Sequence, residues 1–110
     1  MSEVIIMTPK EDVVSVLTKF FEESSNKIRI KKVTYSNDEE YGSYDQINIM
    51  VKGTFFYQKA GEIWQEEDSD TEYMVSLETK DYRGSFANSI VELLRAVEIP
   101  GVKFKIHFMN

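Results

Sequence analysis

The 110-residue chain contains no cysteine, one histidine and two prolines. Without cysteine there is no disulfide and no thiolate metal site, which excludes cross-linked secreted scaffolds and cysteine-based zinc modules. The only histidine is His107, so any Ser-His-Asp or Cys-His device for nucleophilic catalysis would depend on it. It lies among lysines in KFKIHFM, and nothing in the sequence aims a serine or carboxylate at it. There is no Walker loop and no dinucleotide-binding glycine fingerprint. Asp68, Asp70 and Glu72 alternate like the start of a calcium loop, but Tyr73 and Thr79 stand where such a loop needs glycine and glutamate. Together these absences lead us to expect no enzyme activity, no cofactor and no metal. No apolar run approaches the ~20 residues that span a bilayer. The start, MSEVIIMTPK, lacks a cationic leader and has too short an apolar core for a secretory signal, so a cytoplasmic location without membrane contact is expected.

The length suits one domain over residues 1–110 with a real core. The hydrophobic content of 42% is that of a globular chain. The net charge is −6 and the pI about 4.8, which opposes indiscriminate binding to phosphates or anionic lipid.

The clearest stretch is Gln46–Tyr57, QINIMVKGTFFY. Ile47, Ile49, Val51, Phe55 and Tyr57 alternate with Asn48, Met50, Lys52, Thr54 and Phe56, which predicts one half-buried strand. Before it, Glu3–Met7 reads as a short strand. Thr8, Pro9 and Glu11 make a capping box, and Val13, Val16, Leu17, Phe20 and Phe21 predict an amphipathic helix. Lys27–Tyr35 predicts a strand with a bulge near Lys32 and Val33. Asn37–Asp45 reads as a loop, and QKAGE as a hairpin turn around Ala60 and Gly61. Glu62–Glu72 is either the acidic end of a long ribbon or a loop, with residues 66–70 expected to be poorly ordered. Tyr73, Val75 and Leu77 return to strand character. Ser85 caps a second helix with a stripe of Phe86, Ile90, Leu93, Leu94 and Val97, stopped by Pro100 and Gly101. Val102–Met109 closes the chain as a strand. The expected fold is an α+β two-layer sandwich. It has a mainly antiparallel sheet of four to five strands and two helices on one face, in the order (β)αβββαβ.

Two surfaces stand out. Of nineteen acids, four lie in Asn37–Asp45 and six in Glu62–Glu72, and neither segment holds a lysine or arginine. Tyr41, Tyr44 and Trp64 sit among them, and such aromatics are frequent interface anchors. This points to a small non-catalytic binding module. Its expected partner is a basic protein, with a nucleic-acid-binding protein as one option, contacted through Asp38, Glu39, Glu40, Tyr41, Tyr44, Trp64, Glu66, Glu67, Asp68 and Asp70. The carboxylates could stand in for phosphates, as in an inhibitor of the kind small phage or mobile-element proteins provide by analogy of size and charge. The plainer account is a solvated loop with locally packed aromatics.

The second surface is the sheet face away from the helices. It is expected to carry Arg29, Lys31, Tyr35, Lys52, Phe56, Lys103 and Lys105, with Met50 and His107. Cations mixed with aromatics suit single-stranded nucleic acid. The same residues suit an ordinary solvated face or a homodimer through that face or an edge strand. Arg83, Gly84 and Ser85 could offer amides to an anion, or simply form a turn.

Overall fold

The computed structural model describes residues 11–38, 42–66 and 71–109, with the backbone alone for residues 11, 35–38 and 42–45. Its elements are α1 (Glu11–Ser24), β1 (Ile28–Asp38), β2 (Gly42–Lys52), β3 (Tyr57–Gln65), β4 (Glu72–Glu78), α2 (Asp81–Gly84), α3 (Ala87–Ala96) and β5 (Lys103–Met109). The five strands form one sheet in the order β1-β2-β3-β4-β5. The first four pair antiparallel, and β5 lies parallel to β4. A parallel return needs the chain to recross the length of the sheet, and the segment carrying α2 and α3 does this. The fold is therefore α+β, with a mixed but mainly antiparallel sheet.

The alternation in β2 sets the inside. Ile47, Ile49 and Val51 are fully buried, and their register partners Ile28, Ile30, Gly61 and Ile63 are buried with them. The rows continue through Tyr73, Val75 and Leu77 to Phe104, Ile106 and Phe108. Val13, Leu17 and Phe21 of α1 cover the β1 side of this face, while Ile90, Leu94 and Val97 cover the other. All join one cluster, and each large side chain in it contributes roughly 1.5–3 kcal/mol by leaving water. Val16 departs from the expected stripe and is exposed, and Phe20 is half-buried edge-on to Phe21.

Several sequence expectations are corrected. Gln46–Tyr57 is not one strand: β2 ends at Lys52 and the chain reverses over residues 53–56. Gly53 donates its amide to the Phe56 carbonyl at 2.9 Å, and a Cβ at Gly53 would stand 2.6 Å from that oxygen. Phe55, expected on the core face, is 92% exposed at this turn. Ala60 and Gly61 form no turn. They lie inside β3 at a bulge, where Ile49 pairs with Gly61 and Met50 with Lys59. Both face the core, and a Cβ on Gly61 would meet Leu77 Cδ2 and Ser76 O at 2.8 Å. Here glycine marks a close backbone approach rather than a bend. Lys32 and Val33 pair without a break, and the irregularity comes later, between Tyr35 and Asp38.

The second helix is divided. Lys80 to Ser85 wrap a single turn, α2, entered by Asp81 at φ 56. The Ser85 hydroxyl donates to the Tyr82 carbonyl at 2.6 Å and caps nothing in α3. The expected strand at Glu3–Met7 and the cap at Thr8 and Pro9 lie outside the described residues.

Candidate functional site

Sequential antiparallel pairing puts the end of β1, the start of β2, the end of β3 and the start of β4 at one end of the sheet. The strands that flank the two acid-rich segments thus end side by side, the two strand pairs about 10 Å apart at two strand spacings. Neither is a plain loop. The β1–β2 ladder runs out to Asp38 opposite Gly42, with Thr34 opposite Asp45 and Tyr35 opposite Tyr44. Across the second hairpin the Glu66 amide donates to the Glu72 carbonyl at 2.9 Å. Glu39, Glu40, Tyr41, Glu67, Asp68 and Asp70 lie outside the described residues.

Trp64 is not in a loop. It sits on β3 opposite Met74, half-buried, on the face away from the helices. Its neighbour Gln65 faces the other way and is buried, accepting a hydrogen bond from the Tyr73 hydroxyl at 3.5 Å. Space also supplies the cations that the acidic segments lack in sequence. Lys59 pairs with Glu62, and Lys105 Nζ lies 3.3 Å from Glu72 Oε2. Such exposed pairs are worth at most about 1 kcal/mol, but they offset these two carboxylates.

The face away from the helices has a readable order. One row runs Lys31, Asn48, Glu62, Ser76, His107 and another ends Trp64, Met74, Lys105. Arg29 and Lys52 lie at the opposite end from the acidic hairpins, with Met50 beside Arg29. Lys31, Lys52, Lys103, Lys105 and His107 are exposed, whereas Arg29 donates to the carbonyls of Ser25 and Ile28 at 2.6 and 2.9 Å. Asn48 is almost buried and accepts from Gln46 at 3.2 Å. Phe56, expected on this face, is in the 53–56 turn instead, and only the backbone of Tyr35 is described. The face is therefore mixed in charge, with Glu62 and Glu72 among its lysines.

The opposite end of the molecule was missed by sequence reasoning. Phe55, Phe56, Tyr82 and Phe108 are exposed at the end that carries the 53–56 turn, α2 and the close of β5. The Tyr82 hydroxyl donates to the Lys52 carbonyl, and Thr79 donates to the Met109 carbonyl. Gly53 followed by Thr54, inside an apolar alternation, was the available signal for this turn.

The anion reading at residues 83–85 does not survive. The amides of Gly84, Ser85 and Phe86 donate to the carbonyls of Lys80, Tyr82 and Arg83. Arg83 itself is held by Asp81, Nε to Oδ1 at 3.2 Å and Nη2 to Oδ2 at 3.0 Å, with Glu78 at 3.7 Å. The side-chain hydrogen bond from Arg83, seconded by its backbone amide, holds the Asp81 carboxyl below its usual 3.8. Among the described residues no three of His, Asp and Glu group as metal ligands, and no helix is long and apolar enough to cross a membrane.

Fold and surface together define an α+β sheet-and-helix domain with two acid-rich hairpins at one end. Compared with protein-family models, curated proteins and solved structures, the chain finds no match.

Proposed function

We propose that the protein is a non-catalytic binding module that meets a basic partner protein with its two acid-rich hairpins. The observation that supports this is the sheet order, which gathers both segments at one end and leaves the aromatic turn at the other. A one-sided acidic surface on a rigid sheet steers a cationic partner and fixes its orientation. Trp64, half-buried beside that end, supplies apolar contact area at the margin rather than the centre of the surface. If the partner's groove ordinarily holds nucleic acid, the carboxylates compete with phosphates and the module is an inhibitor.

The test is a pull-down in which wild type is compared with a variant carrying serine at Glu66, Glu67, Asp68 and Asp70. The expected result is a partner retained by wild type, lost from the variant and eluted by salt. A partner held equally by both proteins removes the acidic hairpins from the mechanism.

The second reading, single-stranded nucleic acid on the face away from the helices, draws support from Lys31, Lys52, Lys103, Lys105 and His107, all exposed on one face. Glu62 and Glu72 on the same face and the removal of Phe56 to the turn weigh against it. Binding of a fluorescent oligonucleotide at low salt, lost on Lys103→Glu with Lys105→Glu, would establish this reading. No binding at low salt ends it.

A further inference from the structure

Among the described residues the last strand, β5, is an edge of the sheet and its core-facing side chains are only partly covered. Among the described residues nothing pairs with that edge. Phe104 and Ile106 are only half-buried and Phe108 is 53% exposed, although their partners Tyr73, Val75 and Leu77 on β4 are fully buried. The other edge differs: Ile28 and Ile30 of β1 are buried beneath α1. The Lys103 amide donates toward β4, to the Thr71 carbonyl at 2.8 Å. Backbone groups alternate sides along a strand, so the N–H and C=O of Phe104, Ile106 and Phe108 point outward. Beside them runs a groove lined by Leu94, Val97, Val102, Phe104 and Ile106, with Arg95 and Lys103 at its rim. Lys105 continues the basic row, shared with Glu72.

We propose that this edge and groove take up an extended acidic peptide, which adds to the sheet as a sixth strand. Main-chain bonds to Phe104, Ile106 and Phe108 supply affinity, and alternate side chains supply specificity. Apolar residues of the peptide cover Phe104, Ile106 and the groove against α3. Its acidic residues fall on the other face, opposite Lys103 and Lys105. Charge disfavours a second copy in the register centred on Phe104, where antiparallel self-pairing sets Lys103 against Lys105. Like charges directly opposed destabilise a ladder. The site adjoins the second acidic segment, through Lys103 at Thr71 and Lys105 at Glu72, but does not depend on the reading given for the acidic hairpins.

The test uses the full chain and a fluorescein-labelled peptide of alternating glutamate and valine, with a lysine-valine peptide as control. The glutamate peptide is expected to bind and to slow hydrogen exchange at the amides of Phe104, Ile106 and Phe108. N-methyl groups on the peptide edge that faces β5 should abolish binding, and those on the far edge should leave it intact. Lys103→Glu with Lys105→Glu should weaken the glutamate peptide by roughly tenfold and favour the lysine peptide. Equal binding of the two peptides, or indifference to N-methylation, overturns the proposal. So does a dimer in sedimentation that already protects the three β5 amides.

Discussion

Phe55 and Ile49 share one alternation in the sequence and have opposite fates. Ile49 is fully buried between β1 and β3, while Phe55 stands almost wholly in solvent. Ile49→Ala is therefore expected to cost about 2–5 kcal/mol in urea unfolding. Phe55→Ser is expected to change stability by no more than ~0.5 kcal/mol, a loss larger than that showing the ring to be packed. Asp81 is informative for another reason. It enters α2 at φ 56, a left-handed conformation that asparagine also tolerates. Asp81→Asn thus removes the charge that Arg83 holds while keeping the backbone. Because the folded carboxyl is lowered below 3.8, its stabilisation is present above that value and is lost as pH falls through the lowered one. Wild type and Asp81→Asn should differ slightly at neutral pH and converge as the pH drops below 3.8. A difference that persists in acid would show that the effect is not the carboxylate's charge.

Among the elements, the helices were the most legible. The spacing of Val13, Leu17 and Phe21, and of Ile90, Leu94 and Val97, predicts the faces that α1 and α3 bury, because a helix repeats on itself without reference to the rest of the chain. The strands were legible in type but not in their ends. The alternation runs unbroken from β2 into the 53–56 turn, so nothing local marks the reversal except Gly53 and Thr54. The close approach there makes Gly53→Ala an overpacking substitution, with an expected cost of roughly 1–3 kcal/mol in thermal or urea unfolding. A neutral outcome would mean that the turn can relax away from the Phe56 carbonyl. Ala60 and Gly61 misled in the other direction, since small residues serve tight strand contact as well as they serve turns.

Over the whole molecule the acids are unevenly placed, with both acid-rich segments at one end. Self-repulsion there should make thermal stability rise with moderate salt, as screening shortens the reach of each charge to about 10 Å at 0.1 M. Serine at Glu66, Glu67, Asp68 and Asp70 removes four of the six negative charges in excess, taking the net charge from −6 to −2. That variant should melt no lower than wild type and show a smaller rise with salt. An equal salt response in both proteins would place the repulsion elsewhere. The candidate site was legible as composition, in the acids of both segments, but not as geometry. The acids Glu62, Glu66 and Glu67 dominate the pattern around Trp64 and leave ribbon and loop equally open, while its place on β3 comes from pairing with Met74.

Composition and period by themselves determined the absence of disulfides, the α+β class, the helix faces and the buried rows of β2, because each depends on residues close together in the chain. Only the tertiary structure decided the rest. Strand order follows from which apolar rows meet which, across separations that no local pattern encodes. That order set the strand ends flanking both acidic segments at one end, put Lys105 beside Glu72 and, among the described residues, left β5 at the edge of the sheet. The physical reason is that pairing between strands is a contest among distant partners, settled by burial of the whole core rather than by any one stretch.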